Sequence, residues 1–203
     1  MAKLVEPPVR PVAKAEPQLV AFVSAKAFAA WLKKNQSLQV GVWMQIAKKN
    51  SGVVSVTYAE ALEVALCWGW IDGQIKRFDE TTFLQRFTPR RPRSMWSRVN
   101  RDKVGVLVAA GRMQAPGLAE VDRAKMDGRW DRAYESASRI TVPPDMEAAF
   151  DANPKAAAFF GSLDAVNRYA ILHRVQTAIK PETRAARIAK FVDMLVRGQK
   201  LHQ

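Results

Sequence analysis

Apolar and polar positions along this chain change period as it proceeds, and each period names an element. Phe28, Trp31 and Leu32 recur at helical spacing behind Ser24, which predicts a helix capped by that serine. From Val40 to Lys48 the period drops to two. Val42, Met44 and Ile46 fall on one face of a strand, and Asn50-Ser51-Gly52 turns the chain. Thr57 followed by Glu60 forms a capping box, so a helix begins there, runs through Ala61, Leu62, Ala65 and Leu66, and stops at Gly69. Two strands follow, Trp70 to Phe78 and Thr82 to Thr88, joined by Asp79-Glu80-Thr81 into a hairpin. The second places Phe83, Gln85 and Phe87 on one face, with Leu84 and Arg86 on the other.

After Thr88 the pattern is helical to the end. One helix near residues 97–110 carries Val104, Leu107 and Val108 and ends at Gly111. Another over 116–126 stops before Gly128. Residues 139–144, with Pro143 and Pro144, read as a link. Asp145 then caps a short helix, and Asn153-Pro154 opens the next. A helix over 163–178 bears Val166, Ala170 and Val175. The last runs from Pro181-Glu182 to Gly198 with Ile188, Phe191, Val192 and Leu195. Strands early and helices late make an α+β pattern. The expected architecture is a small antiparallel-containing sheet packed by helices, followed by a C-terminal helical section. Its expected divisions are a disordered lead-in over 1–18, marked by Pro7, Pro8, Pro11 and Pro17, an α+β core over 19–138, and a helical section over 139–203 packed on that core.

Charge sharpens this outline. The 203 residues carry a formal net charge of +13, and residues 86–103 hold seven basic side chains against Asp102 alone. Such a field attracts phosphorylated metabolites, nucleic acid or anionic lipid; a solvated basic face is the plain alternative. Cys67 is the single cysteine and lies between Leu66 and Trp68, which excludes an internal disulfide and a cysteine-rich metal site. With two histidines, a multi-histidine metal site is excluded as well. Neither a cofactor nor a metal is expected. No apolar run reaches membrane-spanning length and no secretory signal opens the chain, so the expectation is a cytoplasmic protein of undetermined oligomeric state.

The densest chemistry lies in Thr88-Pro89-Arg90-Arg91-Pro92-Arg93-Ser94-Met95-Trp96-Ser97-Arg98. Two prolines stiffen a segment that runs from a strand end to a helix start, with Ser94 or Ser97 as the cap. Guanidinium forks held there, beside free N–H groups of the helix start, suit phosphate or carboxylate. The alternative is that Arg90, Arg91 and Arg93 pair with Asp72 or Asp127 and pin the helix to the sheet. Trp70 shares a face with Asp72, which is either a general base or a locally satisfied acid. Asp127, Arg129, Trp130, Asp131 and Tyr134, if helical, would make a ligand wall or a docking face. Arg184 sits in the first turn of the last helix against the dipole, so Glu182 or a ligand should compensate it. Arg86, Phe87, Arg90, Arg93, Trp96 and Arg98 interleave cations and rings as single-strand binders do, although no nucleic-acid motif is present. His173 has no evident catalytic partner. No phosphate loop, nucleophile elbow or zinc motif occurs, so catalysis has no strong local support.

Several blocks resemble the bacterial YdeI/OmpD-associated family. They are Ala65-Leu66-Cys67-Trp68-Gly69-Trp70-Ile71-Asp72-Gly73, Phe87-Thr88-Pro89-Arg90-Arg91, Ser94-Met95-Trp96-Ser97-Arg98-Val99-Asn100, Asp127-Gly128-Arg129-Trp130-Asp131-Arg132-Ala133-Tyr134 and Pro181-Glu182-Thr183-Arg184. The resemblance runs from about Phe22 to Gly198. It implies a part in protection against bacteriocins and cationic antimicrobial peptides, without an established reaction.

The leading expectation is therefore a non-enzymatic, anion-binding protein of a stress-protection type. Arg90, Arg91, Arg93, Ser94 and Ser97, with Arg129 and Arg184, would grip an anionic or phosphate-bearing small molecule, and Trp70, Trp96 and Trp130 would pack against its remainder. Two alternatives stand: an enzyme acting on a phosphorylated or nucleotide-like substrate with Asp72 or Asp127 as base, and non-specific nucleic-acid binding.

Overall fold

The computed structural model describes residues 16–203. The greater part of the expected lead-in, residues 1–15, lies outside the described residues. The fold is α+β, with a four-stranded mixed sheet in the N-terminal half and eight helices among the described residues. The chain divides into two compact units. The first comprises residues up to Arg91 together with Gln114–Gly117; the second comprises Pro92–Met113 and Leu118–Gln203.

In the first unit, β1 (Gln18–Ala21), α1 (Ala25–Lys34), β2 (Val42–Ala47), α2 (Tyr58–Cys67), β3 (Trp70–Arg77) and β4 (Thr82–Pro89) form a sheet of order β1-β2-β4-β3 with two helices. The expected caps are present: Ser24 accepts from the Ala27 N–H, and Thr57 and Glu60 close their capping box reciprocally. Residue alternation on β2 buries Val42, Met44 and Ile46. Gly69, at φ +75°, ends α2 and turns the chain directly into β3. The β3–β4 hairpin closes on Asp79, whose carboxylate accepts from the backbone of Thr81 and Thr82 and from both hydroxyls. β1 was not foreseen as a strand. It pairs parallel with β2, because α1 provides the crossover that parallel strands require. Phe28 and Leu32 of α1, Ala61, Val64 and Ala65 of α2, and Val42, Met44, Ile46, Trp70 and Phe87 of the sheet form one core. Residues 114–117 belong here too. The Gln114 N–H donates to the Cys67 carbonyl at 3.0 Å, and Gly117 lies so close to the Leu66 and Cys67 carbonyls that a Cβ would collide with them.

The second unit holds α3 (Arg98–Ala109), most of α4 (Ala115–Met126), α5 (Pro144–Asp151), α6 (Pro154–Ser162), α7 (Ala165–Gln176) and α8 (Pro181–Val196). Met146 and Phe150 of α5, Phe160 of α6, Ile171 and Val175 of α7, and Ile188, Phe191 and Leu195 of α8 make a separate core. One local expectation is corrected. Asp145 does not cap α5; Pro143 holds that position and Asp145 lies in the first turn. Asn153 is the N-cap of α6 with Pro154 following it, as expected, and its side chain donates to the Ala149 carbonyl and makes no cap hydrogen bond. Val108 and Val166 lie on the expected helices and are 48% and 65% exposed.

Candidate functional site

The arginine run begins where β4 ends. The Arg90 N–H donates to the Gly69 carbonyl at 2.9 Å, which holds the strand end against the turn into β3, and Arg90 itself is buried. Arg91 is exposed, and both residues belong to the first unit. Arg93, Ser94, Trp96 and Ser97 belong to the second. Ser97 is the cap of α3, its hydroxyl accepting from the Asn100 N–H at 3.1 Å.

Within the second unit the segment before α3 is bound to the loop after α4. The Tyr134 N–H donates to the Trp96 carbonyl and the Arg98 N–H to the Tyr134 carbonyl, both at 2.9 Å, which makes a short parallel bridge. That loop is not helical, contrary to one expectation for residues 127–134. Gly128 takes φ +72°, and the Asp127 carboxylate accepts from the Arg129 backbone N–H, so α4 ends at Met126. Trp130 and Tyr134 consequently share no helical face. Trp130 instead meets Trp96 edge to face, with ring centroids 5.0 Å apart, and carries Lys125 over its ring.

Arg129 is the centre of this arrangement. Its side chain is 7% exposed. Nε donates to both Asp127 oxygens at 2.9 and 2.8 Å, and Nη1 donates to the Ser94 carbonyl at 2.7 Å. Nη2 is buried and meets no acceptor among the described residues. Partial burial opposes ionisation of Asp127, yet the hydrogen bonds and charge of Arg129, with the charge of Arg132, win and hold its carboxyl below the usual range. Such a carboxylate is a weak base at neutral pH. Arg98 pairs with Glu135 at 2.7 Å on the same loop, and Arg93 is exposed.

The remaining expected site residues lie elsewhere. Trp70 is 2% exposed and belongs to the core of the first unit, where it meets Trp31 edge to face. Asp72 accepts from the Tyr58 hydroxyl at 2.7 Å; burial, that hydrogen bond and the Asp72 charge together raise the Tyr58 pKa. Asp72 is thus satisfied locally. Arg184 is compensated by Asp145, which it grips with Nε and Nη2 at 2.5 and 2.7 Å, rather than by Glu182. This pair borders an open groove of about 760 Å³ between α5 and α8, whose apolar wall includes Ala149, Ile188, Ala189 and Val192.

Two clusters were missed. On the sheet, Trp43 of β2 carries Lys76 Nζ 4.3 Å from its ring centroid and Arg86 Cζ at 5.4 Å. Only strand register puts these three together. On α7, His173 lies between Tyr134 and Tyr169, with centroids at 4.6 and 5.5 Å. Burial lowers the His173 pKa, and the charges of Arg174 and Arg187 add to that. The four-residue spacing of Tyr169 and His173 was a signal available in the sequence.

Fold and site define an α+β protein of two units whose arginines are largely gathered around loops and helix ends. Residues 139–198 match the family described as bacteriocin-protection, YdeI or OmpD-associated. The family that the sequence resembles is thereby borne out over the segment holding α5 to α8, including Pro181-Glu182-Thr183-Arg184. Residues 20–120 match a domain of unknown function (DUF8412), so the blocks from Ala65 to Asn100 fall under a different description. No curated protein and no solved structure matches the chain. No helix among the described residues is long and apolar enough to cross a membrane.

Proposed function

We propose that this is a non-enzymatic, cytoplasmic, anion-binding protein of a stress-protection kind, with its anion seat beside Arg129. The match of residues 139–198 to a bacteriocin-protection family supports the protective role. The observation that carries anion binding is the Arg129 guanidinium, buried and charged, with Nη2 lacking an acceptor among the described residues. A buried donor left unmet costs free energy, which an oxygen of a phosphate or carboxylate recovers. The exposed Arg93 precedes Ser94, whose carbonyl Arg129 holds, and it would supply the second cation of the seat. A charge-assisted hydrogen bond at such a site contributes about 1.5–3 kcal/mol.

Calorimetric titration and thermal melting with inorganic phosphate, pyrophosphate and acetate, against chloride, test this. The wild type gains stability with anion concentration. Arg93→Ala melts as the wild type does in chloride and loses that gain. Bacteria producing Arg93→Ala survive a cationic peptide less well than bacteria producing the wild type. A wild type indifferent to all three anions, or an Arg93→Ala variant that responds fully, overturns the reading.

A further inference from the structure

The sheet of the first unit has two faces, and its own helices cover one. Phe28, Leu32, Ala61 and Ala65 pack against Val42, Met44, Ile46 and Phe87. Residue alternation sends the intervening side chains to the other face. There the register aligns Leu19 of β1, Trp43 of β2 and Arg86 of β4 in one row across three strands. Lys76 of β3 stands opposite Leu84, one row along. Leu19, at one end of the row, is 52% exposed, Trp43 and Arg86 are half-buried, and Lys76 beside them is exposed.

We propose that this open sheet face binds single-stranded nucleic acid, with Trp43 as a stacking platform for a base and Lys76 and Arg86 as the cations that meet the flanking phosphates. Both cations converge on the Trp43 ring. Neither has a carboxylate partner among the described residues, whereas Arg98, Arg123, Arg129, Arg184 and Arg197 all do. Arg86 is anchored by donation from Nη2 to the Val40 carbonyl, and its Nη1 is buried without an acceptor among the described residues. Its position beside the ring is therefore fixed. Lys76 is long and exposed, so its ammonium can leave the ring for a phosphate as a base takes its place.

The shape of the site selects among anions. A pleated face is open along its strands rather than concave, which suits a polymer that tracks across it better than a small molecule. A duplex hides its base faces, whereas a single strand offers them for stacking. A lipid surface calls for apolar groups free to enter it, and Trp43 is half-buried with cations over its ring. This site lies in the first unit and does not depend on the anion seat at Arg129.

Fluorescence anisotropy with labelled oligo-dT and oligo-U of about 12 nucleotides, at about 50 mM salt, tests the proposal. The full chain binds both, and log affinity falls linearly with log salt. Lys76→Glu, an exposed change that leaves the fold intact, weakens binding and lowers the salt slope by about 0.7. Trp43→Leu weakens binding by about tenfold and removes the quenching of tryptophan fluorescence. Lys190→Glu, an equal charge change on α8, leaves affinity as it was. Absence of binding at low salt overturns the proposal. So does equal loss in Lys76→Glu and Lys190→Glu, which would reflect bulk charge. Preference for duplex, polyphosphate or phosphatidylserine vesicles over single strands overturns it too.

Discussion

The two units use their positive charge in different ways. In the second, several guanidinium groups are fastened to the protein's own oxygens. Arg129 holds Asp127 and the Ser94 carbonyl, and Arg184 holds Asp145 and the Val175 carbonyl. Arg187 donates to the Arg174 carbonyl, and Arg197 pairs with Asp193. Arginines here tie loops and helix ends together, and α7 has its last carbonyls covered in this way. In the first unit, Arg86 also holds a protein oxygen, the Val40 carbonyl, but it and Lys76 meet the Trp43 ring and no carboxylate among the described residues. A count of arginines in a sequence therefore says little about which remain free for a ligand. That depends on which donors of each guanidinium the fold leaves unmet.

If the units are distinct in stability as well as in chemistry, core truncations separate them most strongly. Phe28→Ala in the first core and Leu195→Ala in the second each remove a fully buried side chain. Each costs about 3–5 kcal/mol in chemical denaturation. Hydrogen exchange then shows loss of protection confined to the truncated unit. Protection lost evenly through the chain would mean that the two cores unfold as one and would remove the distinction.

Helix caps give a smaller and matched pair. Thr57 caps α2 in the first unit through a reciprocal box, and Ser97 caps α3 in the second with its hydroxyl alone. Replacing either by alanine costs about 1 kcal/mol. The larger loss is expected for Thr57→Ala, because the Glu60 carboxylate, which accepts from the Thr57 N–H and hydroxyl, loses the hydroxyl. Equal midpoints for the two variants would show that the box adds nothing.

The smallest effect is one of pH. The Arg184 hydrogen bonds, over the opposing effect of burial, hold the Asp145 pKa below its ordinary value. A carboxyl lowered in the folded state contributes stability above its unfolded pKa and loses it as pH falls through the folded value. The second unit should weaken as pH drops below about 4. Asp145→Asn should flatten part of that decline. The side chain is 45% exposed, so solvent screening limits the contribution to about 1 kcal/mol or less. An unchanged acid limb in the variant would assign the acid sensitivity to other carboxylates, Asp127 and Asp164 being the next to replace.

Much of the fold was legible wherever a signal is local. The Thr57–Glu60 box, the alternation on β2, the Gly69 stop and the Asp79 hairpin each lie within a few residues of what they determine. Legibility failed where the partner is distant. Four residues, Gln18–Ala21, become a strand only because α1 returns the chain beside them. The Trp130–Tyr134 spacing suits a helix, yet Gly128 and the Asp127 side chain stop one there. The expected site was legible in part. Ser94, Trp96, Ser97, Arg129 and Trp130 come together in the second unit, while Trp70 serves the core of the first and Arg184 is taken by Asp145.

Composition and period by themselves determined an α+β chain with a basic surplus, its helix starts and stops, and the hairpin at its centre. Those properties arise from backbone sterics and from side chains that reach their own neighbours. Tertiary structure alone decided which cations are neutralised and which rings are enclosed. Arg184 meets Asp145 across 39 positions, and Arg86 meets Trp43 across a strand pair. Coulomb attraction and burial act through space, over distances that position along the chain does not encode.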